Sequence, residues 1–326
     1  MTLGEIVDSF ITKSVLIIGD VMIDAYIWGE HTRMSPEAPV PVVDVSKREA
    51  RLGGAANVAL NVKAAGARPT ILTVLGEQGR SNEYLHLMEE ESLATDGVVL
   101  SPNRKATVKT RVISNNNHLL RVDEEDKHDL SPSEENALLD RFDNLIGSKS
   151  IDVIILQDYN KGVLTESLII EVIRKAKEAS IPTMVDPKFK NFTSFTGCSL
   201  FKPNLKELIE GLDMSIDRPS KDVMDTAIAE LQKNMAHLMT MVTLSEHGVY
   251  WNDGVESGII PVFERNIVDV SGAGDTVISI AALAMAAGAT LYQASLLANL
   301  GGGLVCEHVG VQPLNKEALK REVLSL

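Results

Sequence analysis

The stretch Val15-Leu-Ile-Ile18-Gly19-Asp20 decides the fold. Four consecutive apolar residues leave no polar face for water, so they read as a strand buried on both sides, the habit of parallel sheets packed between helices. The run stops at Gly19-Asp20 and so delivers a polar group at the strand's C-terminal end, where open α/β sheets bind ligands. Runs of the same kind recur at Thr70–Leu75, Val153–Gln157, Thr183–Asp186 and Leu238–Leu244. Helical patterns alternate with them at Ala55–Ala65, Ser81–Glu91, Ser133–Ile146, Thr165–Ala179, Asn204–Glu210 and Met224–Asn234. This rhythm predicts an α/β fold, a doubly wound and mostly parallel sheet flanked by helices.

Residues 25–46 and 105–123 break the rhythm with strand-like sequence: Ala25-Tyr-Ile-Trp-Gly29, Val40-Pro-Val-Val-Asp-Val45, Thr107-Val-Lys-Thr-Arg-Val-Ile113 and Leu119-Leu-Arg-Val122. Inserted between βα units, they predict a small β-sheet that covers a ligand cleft as a lid; the alternative is that they extend the main sheet. No repeat, low-complexity segment or linker interrupts the 326 residues, so one domain, 1–326, carrying this lid is the economical organisation.

The formal net charge of −14 comes with no basic block, which argues against a nucleic-acid partner. Val277 to Ala289, the longest apolar stretch, is too short to span a bilayer and reads as a buried helix, so no membrane role is expected. Cys198 and Cys306 have neither metal-ligand spacing nor a CxxC motif. With an N-terminus unlike a secretory leader, they predict a reducing cytoplasm.

The stretch most suggestive of chemistry is Asp269-Val-Ser-Gly272-Ala273-Gly274-Asp275, followed at once by an apolar run. Small residues let successive amides curl around one point, and the helix start beyond favours negative charge. A phosphoryl group held there would lie within reach of Asp275, which could take a proton from an attacking hydroxyl. The competing reading makes Asp275 an ordinary helix-start residue. Earlier, Gly53-Gly54-Ala-Ala-Asn57 opens another helix without the GxGxxG spacing of a dinucleotide site. It suits close approach to a ligand, with Asn57 bonding sugar hydroxyls, or simply a tightly packed helix start.

Taken in order along the chain, these two motifs resemble the signatures of the ribokinase (PfkB) family of sugar kinases, and Gly19-Asp20 with Asp24 and Asn204-Leu-Lys-Glu207 fit between them. The resemblance implies a ribokinase-like fold, ATP and Mg²⁺ as cosubstrate and metal, Asp275 as catalytic base and Gly272, Ala273 and Gly274 as an anion hole. It further implies Asp20 or Asp24, Gly53, Gly54 and Asn57 as sugar ligands, and Asn204 and Glu207 as organisers of Mg²⁺ and phosphates, through water. Lys206, Thr243, Ser245, Gly248 and Asn299 fall beside the expected nucleotide position. A monovalent cation near the late motif is a further candidate.

A narrower set is similar to the heptose 7-phosphate kinase branch of that family. It comprises Gly19-Asp-Val-Met-Ile-Asp24-Ala-Tyr26, Ser35-Pro-Glu-Ala-Pro-Val-Pro-Val42, Lys109-Thr-Arg-Val-Ile113, Leu119-Leu-Arg-Val-Asp123, Asp158-Tyr-Asn-Lys-Gly162, Asp186-Pro-Lys188 and Thr243-Leu-Ser-Glu-His-Gly248. The branch implies D-glycero-β-D-manno-heptose 7-phosphate as substrate, phosphorylated at C1 on the route to ADP-heptose and lipopolysaccharide, with a separate nucleotidyltransferase for the later step. Asp158 joins the substrate candidates on this resemblance. Ser271, Asn160, Phe189 and the segment 190–192 depart from the branch's pattern. Lys109, Arg111, Arg121, Lys161, Lys188 and Lys190 cluster at lid strands or strand ends, as a clamp for a substrate phosphate requires; the alternative for each is a solvated charge. Asp123-Glu-Glu-Asp126 reads as a solvated turn. Exposed apolar lid residues, among them Ile27, Val40, Val42 and Val43, favour a homodimer formed through paired lids.

Overall fold

A computed structural model describes residues 1–115 and 117–326. The chain runs through α1 (Leu3–Ser9), β1 (Ser14–Gly19), and the long hairpin β2 (Val21–Met34) and β3 (Pro41–Gly54). Next come α2 (Ala55–Ala64), β4 (Arg68–Gln78), α3 (Ser81–Glu90), β5 (Val98–Lys105), β6 (Val108–Ser114) and β7 (Asn117–Glu124). Then follow α4 (Pro132–Ser148), β8 (Val153–Gln157), α5 (Glu166–Glu178), β9 (Thr183–Asp186) and β10 (Leu200–Phe201). The last part holds α6 (Leu205–Leu212), α7 (Lys221–Asn234), β11 (Met239–Thr243), β12 (Val249–Asn252), β13 (Ser257–Ile260), α8 (Ala273–Ala286), α9 (Leu291–Val305) and α10 (Lys316–Leu324).

Among the described residues nine strands form the main sheet in the order β13-β12-β11-β10-β9-β8-β1-β4-β5. From β11 to β5 all neighbours are parallel, while β12 and β13 add an antiparallel edge. β1 sits inside the sheet because both faces of its apolar run find helices. Ile17 joins Ile71 and Ile155 in a core beneath α2, α8 and α9, whereas Leu16 and Ile18 join Ile154 and Leu156 beneath α4, α5 and α7. Each such side chain removed from water contributes roughly 1.5–3 kcal/mol, so a polar residue is excluded from either face. The stretch Val277 to Ala289, expected as a buried helix, is buried helix only as far as Ala284: residues 275–284 of α8 are all buried, the helix ends at Ala286, and Gly288 is exposed.

The inserted strands form a separate four-stranded sheet, β3-β2-β6-β7, and do not extend the main one. They also run longer than their apolar patterning indicates. β2 begins at Val21, one residue beyond β1, and β3 continues to Gly54, so Asp24, Gly53 and Gly54 lie in strands. Sequence patterning missed β5, a sheet-edge strand carrying Pro102, Asn103 and Arg104, and the short β12 and β13. The edge strands β5 and β13 accept proline, glycine and polar residues because one side needs no partner, and this erases the apolar signal; β12, paired on both sides, spans only four residues.

Candidate active site

Two helix N-termini meet beside the C-terminal end of β1. α2 starts after Gly54, whose φ of 63° suits glycine; a Cβ there would lie 2.4 Å from the Asp20 carbonyl. α8 starts after Gly272, at φ 80°, and among the described residues no side chain caps it. The Ala273 amide, expected in the anion hole, instead donates to the Val270 carbonyl at 3.3 Å, while the Gly274 and Asp275 amides have no such partner among the described residues and remain available to an anion. Asp275 is the third residue of α8 and Asn57 the third of α2, one residue or more deeper than the sequence suggests for Asp275. Both side chains are buried, and Asn57 Nδ2 donates to Asp275 Oδ2 at 2.6 Å.

The other carboxylate oxygen of Asp275 accepts from Tyr159 Oη at 2.6 Å and from Gln157 Nε2 at 3.3 Å. Burial raises this carboxyl to about 6, against the Tyr159 and Asn57 donors that favour its charged form. A group poised there is ionised at neutral pH yet basic enough to accept a proton.

Asp20 and Asp24 separate in role. Asp20 accepts the backbone amides of Tyr159, Lys161 and Val163 at 2.9, 3.1 and 3.0 Å, and so anchors the 158–163 loop. Burial nevertheless raises its carboxyl above the usual range. Asp24 lies on the polar face of the small sheet, ion-paired with Arg111, and a Cβ on Gly53 would come within 2.2 Å of its Oδ2. Gly53 is the space that Asp24 occupies.

Strand register sets Asp24, Lys109 and Asp123 side by side, with Tyr26, Arg111 and Arg121 in the next row of the same face. Arg121 is bidentate to Asp123, and Lys161 pairs with Glu125 at 2.7 Å. The Asp123–Asp126 segment is therefore not merely a solvated turn: Asp123 and Glu125 hold cations, and Asp126 accepts the Lys105 amide. Among the described residues Lys109 forms no ion pair. Burial, then the nearby Lys161 and Arg121 charges, lowers its affinity for a proton.

A line of buried charge leads from Asp275 toward α6. Asp186 pairs with the deeply buried Lys202 at 3.1 Å, and Asp186 Oδ2 would lie 3.9 Å from a Cβ on Gly274. Burial pushes the Asp186 carboxyl up. Lys188 pairs with Glu207 and stands 5.8 Å from the Tyr159 ring centroid. Burial opposes the Lys188 charge, but Asp186 and Glu207 outweigh it and raise its proton affinity. Asn204 and Glu207 form a capping box at the start of α6, each bonding the other's amide at 2.8 Å. Among the described residues no three His, Cys, Asp or Glu side chains form a metal cluster. These donors would suit an Mg²⁺ carried mainly by phosphate and water: Asp186 and Glu207 would be the carboxylates to reach it through water, whereas the Asn204 oxygen, expected in that role, is taken by the Glu207 amide.

The remaining expected residues lie farther from this cluster in role. Asp158 is buried with one orphan oxygen, and burial, then the Asp20 charge, raises it to about 7. Asn160 occupies the left-handed region at φ 53°, which asparagine tolerates and which accounts for its presence there. Thr243 bridges to Asn204, and Ser245 and Gly248 shape the tight turn after β11. Asn299 donates to the Pro261 carbonyl, while Lys206 points to solvent beside Glu210. Sequence reasoning missed Gln157, Tyr159, Asp186 and Lys202 as site members. Gln157 and Asp186 stand at strand ends, where a stricter use of the strand-end rule finds them; Lys202 follows a strand of two residues that leaves no periodic signal.

A family model described as pfkB family carbohydrate kinase matches residues 12–318. The chain belongs to this family. It is a carbohydrate kinase by this membership, which implies ATP as phosphoryl donor. Its curated relatives include bifunctional protein HldE of Sulfurimonas denitrificans, 38% identical over 306 residues, and bifunctional protein HldE of Caulobacter vibrioides, 39% identical over 317. Each alignment covers 94% of this chain and 63% of the relative, so the chain spans less than two thirds of these proteins' length. Its fold is that of phosphofructokinase-2 from Escherichia coli in complex with potassium (TM-score 0.78, 17% identity, 96% of this chain and 98% of that one). It is also that of Arabidopsis thaliana ribokinase complexed with ribose and ATP (TM-score 0.73, 16% identity, 96% and 99% covered). Among the described residues, no helix of this pfkB-family chain is long and apolar enough to cross a membrane.

Proposed function

We propose that this kinase transfers the γ-phosphoryl group of ATP to the C1 hydroxyl of D-glycero-β-D-manno-heptose 7-phosphate. The observation that carries the reading is a buried carboxylate, Asp275, in the first turn of a helix whose start no side chain among the described residues caps. Amides at that start stabilise charge on the moving phosphoryl group, and Asp275 accepts the sugar's proton. Asp24 and Asn57 hold sugar hydroxyls; Lys109, with Arg111 beside it, receives the 7-phosphate. The heptose assignment is supported by the motif set shared with the heptose-phosphate branch and by the likeness to HldE proteins.

When bound, Mg²⁺ would neutralise charge on the β- and γ-phosphate oxygens. Lys202 and Lys188 supply further positive charge along the same line, each balanced by an acid in its absence. The small sheet acts as the lid of one kinase domain and excludes water, the competing acceptor. Its outer face carries Ile27, Val112, Leu120 and Val122, with Leu120 and Val122 each 48% exposed, and pairs with a second copy to form a homodimer. Two free, buried cysteines suit the reducing cytoplasm, and the bisphosphate product feeds a nucleotidyltransferase step.

The test is ADP release with heptose 7-phosphate, fructose 1-phosphate, tagatose 6-phosphate and ribose, the product position being read by phosphorus NMR. Preference for the heptose with a new C1 phosphate supports the reading. Turnover confined to ribose overturns both the sugar and the phosphate grip.

A further inference from the structure

Asp275 Oδ1 and Oδ2 are not equivalent. Oδ1 accepts two donors, Tyr159 Oη at 2.6 Å and Gln157 Nε2 at 3.3 Å, while Oδ2 accepts only Asn57 Nδ2 among the described residues. A carboxylate oxygen has two lone pairs in the plane, so Oδ1 is filled and Oδ2 keeps one free. Tyr159 is itself held firmly. Its amide donates to Asp20, its ring lies beside Lys188, and it is the partner through which the loop anchored by Asp20 reaches the helix carrying Asp275.

We propose that Tyr159 is the positioning residue of the base: by filling Oδ1 of Asp275, with Gln157, it leaves Oδ2 as the oxygen that takes the sugar proton. This rests on the reading of Asp275 as the base. In the step, the sugar O–H bond breaks as Oδ2–H forms, and the sugar oxygen bonds to the γ-phosphorus. The bond from that phosphorus to the β–γ bridging oxygen breaks, and ADP leaves with the electron pair; the proton on Oδ2 then passes to solvent. The Tyr159 hydroxyl donates throughout and keeps its own proton, since burial and the Asp275 charge both hold it on. Its bond to the ionised carboxylate opposes the effect of burial, so losing it makes Asp275 harder to ionise.

The experiment is Tyr159→Phe, which keeps the ring and removes only the hydroxyl. The Asp275 carboxyl is titrated by carbon NMR in protein labelled with ¹³C-aspartate, its signal identified by its loss in Asp275→Asn. The expected result is an upward shift of about one to two pH units, matched by the acid limb of kcat/KM for heptose 7-phosphate. The plateau above that limb should stay within about tenfold of wild type, because Asp275 remains. Gln157→Leu removes the weaker Oδ1 donor and is expected to shift the titration in the same direction by less, which keeps a readout if Tyr159→Phe does not fold. An unmoved titration in the folded variants overturns the proposal. A shifted titration combined with full turnover by Asp275→Asn leaves the Tyr159 bond standing and overturns the base instead.

Discussion

Asn57 and Asp275, 218 residues apart, join the third positions of two helices through one buried 2.6 Å hydrogen bond. The early and late sequence motifs thus meet as one device. The Asn57 oxygen has no partner among the described buried side chains, so its amide can turn over if residue 275 becomes a donor.

The Asp275 carboxyl, raised to about 6 by burial, should set the pH dependence of turnover if it is the base. Base catalysis requires the ionised form, so kcat/KM should fall about tenfold per pH unit below about 6 and level off above it. Stability should respond in the opposite sense. The folded state holds this proton more tightly than the unfolded one, so between about 4 and 6 the group's contribution to stability falls as pH rises. Rate profiles and thermal melts across that window check both signs.

Gly53→Ala should affect the sugar and spare the nucleotide. The added methyl would sit 2.2 Å from Asp24 Oδ2 and must displace that carboxylate. We expect KM for the sugar phosphate to rise, or kcat to fall, by about 10- to 100-fold, with KM for ATP changed less than about threefold. Steady-state kinetics with each substrate varied in turn makes the measurement.

Lys109→Ala should discriminate by substrate phosphate. This lysine has no acid partner among the described residues, and it shares its row with Asp24. A lost charge-assisted bond is worth about 1.5–3 kcal/mol, or roughly 10- to 150-fold in KM for heptose 7-phosphate. The unphosphorylated heptose should lose almost nothing, and comparison of the two sugars checks this.

Much of the fold was legible because buried parallel strands are written as unbroken apolar runs. β1, β8 and β9 show this; the end of β1 pointed to Asp20, while Gln157 and Asp186, at the ends of β8 and β9, were passed over although the same rule applies to them. Strands at edges or of two residues were not legible, and with β10 went Lys202. The sequence offered Asp20 and Asp24 as equals. Only the packing of the 158–163 loop shows that three amides occupy Asp20. Likewise Asn204 and Glu207 stood out as a spaced pair, but spacing alone does not tell a metal-organising pair from a capping box, and here the box is formed.

Single-turnover phosphoryl transfer from ATP to heptose 7-phosphate by Asp275→Asn, with both substrates saturating, isolates the role of this carboxylate. A folded variant that binds both substrates and transfers about 10²- to 10⁴-fold more slowly is expected if Asp275 is the base. Transfer at the wild-type rate would show that it is not.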